Sequence, residues 1–326
     1  MEKITIAIAG YGNVGRSVEA AIKLNADTEL VAVFTRRPER VREELTDVSV
    51  LRSEDPVPVD IEIDVVILCG GSKDDIPVQG PQFAARFNTV DSFDTHAAIP
   101  SYFERMDSIA QEHGHVTIIS AGWDPGIFSL MRVLGDAFLP QGKQYTFWGR
   151  GVSQGHSDAA RRVKGVFDAR AYTIPIESAV QRVRDREAPE FTKREMHKRL
   201  VYVVPEPGAD QERIRKDIGT MPHYYDEYDT EVAFITQEEM AENHTKLPHG
   251  GFVFASGMTG ARNKHMLEYR CQLESNSEFT ANVLVACARA AYTLKKEGRS
   301  GAFTILDIPP RYLSPHSPET LREDFM

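Results

Sequence analysis

The chain has 326 residues, more than one compact core usually organises, so its length predicts two or three domains. Hydrophobic residues make up 41% and charged residues 26% of the sequence, which is ordinary globular usage and excludes disorder, collagen-like repeats and a membrane protein. The 38 basic and 48 acidic side chains give a net charge of -10, which repels the phosphate backbone of nucleic acids. We therefore expect a folded protein that does not bind nucleic acid.

The sequence pattern predicts neither export nor insertion into a membrane. The first nine residues have the pattern of a buried strand and lack the long apolar core of a signal peptide, and no apolar run reaches the roughly 18 residues that cross a bilayer. Cys69, Cys271 and Cys287 are odd in number and far apart, which favours reduced core residues. No histidine or cysteine spacing is typical of a metal site. We expect a cytoplasmic protein with no metal.

The first 120 residues alternate apolar runs with helical patterns. The predicted strands are Ile4–Ala9, 30–34, 65–69, 89–91 and 116–120. Helices are predicted over 14–24 and 101–113, the second with Pro100 at its start. This alternation predicts an α/β fold with a doubly wound parallel sheet.

After Asp124 the strands become longer. They are predicted over 145–148, 170–174, 199–204, 231–235, 252–256 and 266–273. With a helix over 210–218 they predict a separate α+β domain built on a mostly antiparallel sheet. A long helix over 279–296, stopped by Gly298, leads back toward the first domain. We therefore expect a first domain of residues 1–122, joined by a C-terminal return at about 300–326, and a second domain of residues 123–299.

A glycine-rich turn follows the first strand. Its residues are Gly10, Tyr11, Gly12, Asn13, Val14 and Gly15. Between a strand and a helix, this G-x-G-x-x-G pattern indicates a dinucleotide site in a Rossmann domain, where the backbone and the helix N-terminus face the pyrophosphate. A glycine-rich turn without a ligand is the alternative.

The end of the second strand indicates which dinucleotide binds. NAD sites usually carry an acid about 20 residues after the glycines, but this chain has Thr35, Arg36 and Arg37 there. Two guanidiniums and a hydroxyl suit the 2′-phosphate of NADP, although a solvated basic turn would look the same.

A second glycine-rich turn follows the third predicted strand. Cys69, Gly70, Gly71 and Ser72 can pass beside the bound cofactor there. An ordinary strand-to-helix turn remains the alternative, above all for Ser72.

Two acids follow the fourth and fifth predicted strands. Asp94 and Asp124 meet at the carboxyl edge of a parallel sheet, where ligands of such folds collect. The pair could hold a cationic amine, with Trp123 excluding water. An Asp followed by Pro125 is also an ordinary helix cap, so both roles remain open for Asp124.

A different enzyme class is suggested by residues 151–155. Gly151-Val152-Ser153-Gln154-Gly155 matches the G-x-S-x-G nucleophile elbow, which makes a serine hydrolase at Ser153 the rival hypothesis. A non-catalytic NADP sensor is a further alternative, although it has no need for paired acids at strand ends.

Several motifs resemble those of the diaminopimelate dehydrogenase family, and the likeness extends over essentially the whole chain. They are Ala9 to Ser17, Ile118 to Gly126, Phe147 to Asp158, His197-Lys198-Arg199, Leu247 to Gly251 and Ser300 to Thr304. The sequence departs from the family at Lys73, where relatives have a small residue.

The resemblance implies an NADP-dependent enzyme that deaminates the D-centre of meso-diaminopimelate and is usually a homodimer. Hydride leaves that centre, and water attacks the resulting imine to give L-2-amino-6-oxopimelate, which cyclises to tetrahydrodipicolinate, together with ammonia. The reverse reaction supplies lysine and cell-wall synthesis. Another NADP-dependent D-amino acid dehydrogenase is the alternative within this class.

The resemblance also implies the roles of individual residues, with substrate binding and dimerisation assigned to the second domain. Asp94 and Asp124 surround the reacting D-centre. The pocket is shaped by Trp123, Phe147, Trp148, Gln154, Gly155 and Asp158. The distal L-centre is held by Thr173, Arg199, His249 and Asn276.

Overall fold

The computed structural model describes residues 3–246 and 248–326. Met1, Glu2 and Leu247, which is the first residue of the motif Leu247 to Gly251, lie outside the described residues. The strands, in chain order, are β1 (Ile4–Ala9), β2 (Thr28–Phe34), β3 (Ser49–Leu51), β4 (Val65–Leu68), β5 (Asn88–Asp91), β6 (Val116–Ile118), β7 (Lys143–Trp148), β8 (Gly151–Val152), β9 (Val166–Pro175), β10 (His197–Pro205), β11 (Asp229–Phe234), β12 (His249–Thr259), β13 (Asn263–Leu273) and β14 (Gly301–Phe303). The α-helices are α1 (Asn13–Leu24), α2 (Pro38–Arg42), α3 (Ile76–Ala84), α4 (Ile99–His113), α5 (Ile127–Phe138), α6 (Gln154–Arg161), α7 (Glu177–Arg184), α8 (Lys193–Met196), α9 (Gln211–Gly219), α10 (Gln237–Asn243), α11 (Asn276–Lys296), α12 (Pro310–Leu313) and α13 (Pro318–Phe325), with short 3-10 turns at His96–Ala98 and Ile305–Asp307.

The chain divides into two compact units. The first unit contains Met1–Leu130 and Ser277–Met326, and the second contains Met131–Asn276. The expected boundaries were after residues 122 and 299. The second division lies earlier in the chain because the long helix α11 belongs to the first unit. Leu284, Cys287 and Ala291 of α11 are buried in the same hydrophobic cluster as Ile8 and Val33 of the sheet. Within the two described stretches, no helix is long and apolar enough to cross a membrane.

The first unit is built on one sheet of seven strands in the order β14-β6-β5-β4-β1-β2-β3, and every neighbouring pair is parallel. The order 3-2-1-4-5-6 within it is that of the doubly wound dinucleotide-binding fold, which confirms the predicted fold class. One hydrophobic cluster centres on Ile6 and Ile8, and another on Ala7 and Ala9, as the two-residue period of β1 requires.

Two strands of this sheet were not predicted as strands. β3 and β14 each contain only two consecutive apolar residues, too few to indicate a strand, whereas the equally short β6 lies within the longer run that was predicted over 116–120. β14 pairs with β6 and extends the sheet at its edge, so the C-terminal segment returns to the first unit.

The second unit contains two sheets, where the sequence suggested one mostly antiparallel sheet. The first has the order β11-β10-β9-β8, and the second is the antiparallel sheet β13-β12-β7. β10 and β11 run parallel, although β10 is antiparallel to β9 and β9 to β8. The difference follows from α9, which lies between β10 and β11 in the chain and provides the crossover that a parallel pair needs.

Candidate functional site

A cavity of about 380 Å³ lies at the carboxyl edge of the first sheet. Its lining joins the ends of three neighbouring strands, because the turns that follow β1, β2 and β4 all reach it. Ten of the thirteen residues assigned from sequence to the cofactor line it: Gly10, Tyr11, Gly12, Asn13, Thr35, Arg36, Arg37, Cys69, Gly70 and Gly71. The two glycine-rich turns, at residues 10–15 and 69–72, therefore both contribute to the lining of one cavity.

The fingerprint glycines have distinct tasks. Gly10 adopts a φ of 97°, in the left-handed region that favours glycine. A Cβ on Gly15 would lie 2.2 Å from the carbonyl oxygen of Gly10, so only glycine allows α1 to begin this close to β1. At Gly12 a Cβ would meet nothing within 4 Å, which leaves open space before the backbone. Val14 does not line the cavity but packs against the core.

More arginines line the cavity than the sequence indicated. Arg36 and Arg37 are exposed, and Arg36 forms an ion pair of 3.3 Å with Asp75. Arg16 and Arg40 also line the cavity, and both were missed as candidate ligands because they lie outside the motif. Four guanidiniums at one cavity suit an anion.

Ser72 contacts a candidate catalytic acid and does not line the cavity. Its hydroxyl donates to the Asp94 carboxylate over 2.5 Å and accepts from the Asp94 backbone N–H over 2.8 Å. The turn after β4 is thereby tied to the turn after β5.

The two candidate acids leave the same edge of the sheet. β5 and β6 are parallel, with Val90 opposite Ile118, so Asp94 and Asp124 both follow the carboxyl ends of neighbouring strands. Asp94 is exposed and Asp124 half-buried. α5 begins at Ile127, so Asp124 lies two positions before the residue that would cap this helix.

The second unit contains a buried cation. Arg199 is 6% exposed, and its neighbour across the strand pair is Thr173, whose hydroxyl accepts a hydrogen bond from the guanidinium. The guanidinium carbon lies 4.2 Å from the ring centre of Tyr228, within the range of a cation–π contact. Burial lowers the pKa of Arg199, and its Nε is buried without a hydrogen-bond partner. Across the described part of the chain, no carboxylate forms an ion pair with it.

The edge strand β8 lies between Thr173 and His249. Gly151 pairs with Thr173 on one side, and a Cβ on Gly151 would lie 2.9 Å from the Cα of His249 on the other. The backbone N–H of Val152 donates to the carbonyl of Pro248 over 2.9 Å. Thr173 therefore lies opposite Arg199 on β10 and opposite Gly151 on β8, and His249 begins β12 on the other side of Gly151.

Two aromatic residues of β7 have opposite environments. Phe147 is wholly buried among Phe191, Phe254 and His197, so it supports its neighbours from inside the core, whereas Trp148 is 41% exposed. The backbone N–H of Trp148 donates to Nε2 of His197 over 2.9 Å. His197 was not singled out from the sequence, because nothing there shows which strand it faces.

The remaining candidates of this unit lie at helix α6 and at the start of α11. Gln154 and Gly155 open α6 and are exposed. Asp158 is exposed on the same helix and paired with Arg161, a contact typical of a solvated face. Asn276 is the first residue of α11.

A half-buried histidine lies beside Ser153. Nδ1 of His156 accepts from the Ser153 hydroxyl over 2.8 Å, and its Nε2 lies 2.8 Å from the carbonyl oxygen of Tyr224. Because a carbonyl can only accept, the proton is on Nε2. Burial and the nearby Arg199 lower the pKa of His156 to about 4.

Residues 122–275 match the Diaminopimelic acid dehydrogenase C-terminal domain. Over the whole of both chains, the sequence is 56% identical to the meso-diaminopimelate D-dehydrogenase of Ureibacillus thermosphaericus. The chain belongs to the meso-diaminopimelate D-dehydrogenase family.

Two solved structures are similar to this chain over nearly its whole length. One is a variant of the Clostridium tetani meso-diaminopimelate dehydrogenase with diaminopimelate, at a TM-score of 0.89 and 51% identity over 99% of this chain and 100% of that one. Its six substitutions are Gln154→Leu, Thr173→Ile, Arg199→Met, Pro248→Ser, His249→Asn and Asn276→Ser. The other is an engineered D-amino acid dehydrogenase bound to NADP⁺, at a TM-score of 0.83 and 41% identity over the same shares.

For a member of the meso-diaminopimelate D-dehydrogenase family, the serine hydrolase hypothesis at Ser153 is not supported. The nucleophile elbow requires a parallel sheet, whereas β8, which precedes Ser153, is antiparallel to β9. The partner of His156 beyond Ser153 is a carbonyl and not a carboxylate. We interpret the pair as a local contact that orients the start of α6.

Two histidines with lowered pKa values, the half-buried His156 and the buried His197, predict a pH dependence of stability. The pKa values of His156 and His197 are both lowered to about 4 by burial and by Arg199, against 6.5 in the unfolded chain. Between these values only the unfolded chain binds the protons, so stability is complete above about pH 6.5 and falls as the pH drops toward 4. We expect the urea midpoint to fall over this window, and His197→Gln to reduce the slope by about one proton. The exposed His316 provides the control, His316→Gln, and equal slopes for both variants would contradict the assignment.

Proposed function

We propose that this chain catalyses the reversible NADP-dependent oxidative deamination of meso-2,6-diaminopimelate at its D-centre, giving L-2-amino-6-oxopimelate and ammonia. The observation that carries the proposal is Arg199, a buried cation with no ion pair to a carboxylate in the described ranges. Such a charge is costly unless a ligand pairs with it, and a second carboxylate is what distinguishes this substrate from simple amino acids. The family relationship supplies the reaction class.

The residues around the first cavity fit NADP. The open space at Gly12 and the start of α1 suit a pyrophosphate, and Arg36, Arg37 and Arg40 suit a 2′-phosphate. When bound, NADP⁺ supplies the hydride acceptor. The protein holds it through the backbone of the glycine turns and through these guanidiniums.

The carboxylates of Asp94 and Asp124 are proposed to hold the ammonium group of the D-centre. Either can accept its proton, which makes the nitrogen lone pair available when the hydrogen on the adjacent carbon leaves as hydride. Ser72 donates to Asp94 and keeps this carboxylate in one orientation. Trp123 precedes Asp124 and is assigned to the exclusion of water from the reacting centre.

The distal L-centre is proposed to bind at Thr173, Arg199, His249 and Asn276, with Gln154 beside it. The residues substituted in the solved Clostridium tetani variant have the same types and numbers as these five residues and Pro248 of this chain, which supports the assignment. Because the two ends of a meso compound differ only in handedness, the D-centre can be selected only if the other end is bound in a fixed orientation.

We also propose that the protein is a cytoplasmic homodimer, with dimerisation in the second unit. Cys69, Cys271 and Cys287 are buried and free, as suits a reducing compartment. Sedimentation analysis of the purified chain tests the dimer.

The function is tested by the absorbance of reduced nicotinamide with separate diaminopimelate stereoisomers. We expect NADPH formation with the meso isomer and none with the LL isomer, which has no D-centre. Equal rates with both isomers, or no rate with either, would reject the proposal. A D-amino acid without a distal carboxylate distinguishes it from a general D-amino acid dehydrogenase.

The cofactor preference is tested by replacing Arg36 and Arg37 with Met. If both bind the 2′-phosphate, NADP binding weakens by about 1.5 to 3 kcal/mol per contact and NAD binding hardly changes. Fluorescence titration with both cofactors measures the loss. Arg322→Met, an exposed arginine on α13, is the control, and equal losses for NADP and NAD would contradict the assignment.

Replacement of Arg199 by Met tests the distal site. We expect kcat/KM for meso-diaminopimelate to fall by about 2 to 5 kcal/mol in transition-state stabilisation, because the distal carboxylate loses its partner. The value for a D-amino acid with an apolar side chain stays unchanged or rises. The exposed Arg194 provides the control variant, Arg194→Met. A parallel fall for both substrates would place Arg199 outside the distal site.

A further inference from the structure

A buried carboxylate that the proposed reaction does not use lies at the end of β5. Asp91 is 0% exposed, and among residues 3–246 and 248–326 no lysine, arginine or histidine forms an ion pair with it. Burial raises its pKa to about 6, although three hydrogen bonds oppose that shift. Because packing alone favours an apolar side chain at such a position, the carboxylate calls for a different explanation.

The carboxylate joins two turns. Its Oδ1 accepts the backbone N–H of Phe93 over 2.9 Å and the backbone N–H of Ser120 over 3.0 Å. Its own carbonyl oxygen accepts the N–H of Ala121 over 2.8 Å. One residue therefore fixes the backbone directly before Asp94 and the backbone that leads to Asp124.

The second turn needs this support. Ser120 has a φ of 56°, the left-handed region that non-glycine residues rarely adopt. The N–H of Ile119 is bonded to Phe303 of β14, and the carbonyls of Gly122 and Trp123 accept from the first residues of α5. Asp91 supplies the bonds at Ser120 and Ala121, between these two anchors.

The other carboxylate oxygen is held from α4. Oδ2 of Asp91 accepts the Tyr102 hydroxyl over 2.8 Å, and the Tyr102 ring packs on Phe93 at 4.4 Å between centres. The hydroxyl occupies space left by Gly80 of α3, where a Cβ would lie only 2.2 Å from it. The hydrogen bond from Tyr102 of α4, for which Gly80 of α3 leaves space, thus orients the Asp91 carboxylate.

We propose that Asp91 is a positioning residue for the deamination, whose buried carboxylate holds the Asp94 and Asp124 turns in the geometry that turnover requires. The proposal rests on the proposed function of Asp94 and Asp124. Asp91 does not touch substrate, and its task is to accept hydrogen bonds and not to carry a proton. An uncharged acceptor of the same shape can therefore replace it.

The test compares three variants of the full chain with the parent. Asp91→Leu removes both acceptors, Asp91→Asn keeps an oxygen for the two backbone N–H groups, and Tyr102→Phe removes only the bond from α4. We expect kcat for meso-diaminopimelate to fall roughly 100-fold in Asp91→Leu, the order that a misplacement of about 1 Å costs. It stays within about threefold in Asp91→Asn and Tyr102→Phe, and the Kd for NADP stays unchanged in all three. Equal losses in the Leu and Asn variants, or a normal kcat in Asp91→Leu, would overturn the proposal.

Hydrogen exchange separates this proposal from the proposed function. In Asp91→Leu the amides of residues 92–95 and 119–124 should exchange faster, and in Asp91→Asn they should keep the parent rates. Unchanged exchange in Asp91→Leu rejects the positioning role, whatever the activity. The proposed function is rejected if the parent does not oxidise meso-diaminopimelate or if Asp94→Ala has normal activity. In either case the exchange result still decides whether Asp91 holds the two turns in place. If Asp91→Leu does not fold, Asp91→Ser, whose side chain is too short to reach both amides, takes its place in both measurements.

Discussion

The parallel alignment of β1, β2, β4, β5 and β6 is the constraint on which the first unit depends. Parallel strands end at one edge, so every turn that follows them meets there, however far apart the residues lie in the chain. The glycine turns, the basic turn at Arg36 and the acids at Asp94 and Asp124 all leave from this edge. β14 has a part in it, because its Phe303 carbonyl bonds the residue just before Ser120.

The sequence predicted the parts of this arrangement that local patterns encode. The glycine spacing of residues 10–15 is dictated by the approach of α1 to β1, and the alternation of β1 by two buried faces, so both can be read from neighbouring residues. β3 contains only two consecutive apolar residues and gives no such pattern. The helix α11 was predicted over 279–296, but the division between the units, which precedes this helix, was not, because its apolar residues fit a core without indicating which unit's core they enter.

In the candidate site too, some residues could be assigned from the sequence and others only from the structure. Arg199 and Thr173 were assigned through family resemblance, and the structure gives the physical reason for pairing them, which is the antiparallel register of β10 with β9. His197 and Tyr228 were missed because each acts through a neighbour: one through the backbone of Trp148, the other through its ring against a guanidinium. Such contacts join residues far apart in the chain, and no spacing rule reveals them.

Three buried charged residues differ in whether the fold itself supplies a partner of opposite charge. Arg289 of α11 is 6% exposed and paired with Asp27 over 2.5 Å, so its charge is compensated within the fold. Arg199 and Asp91 are also buried, yet neither has an ion pair within the part of the chain that the structure describes. Their hydrogen bonds orient them without neutralising them, a costly arrangement for a group that serves only packing. The unpaired Arg199 can therefore bind a carboxylate that a ligand supplies. Asp91, which accepts from two backbone N–H groups, holds the turns before Asp94 and Asp124 in one conformation at a cost in stability.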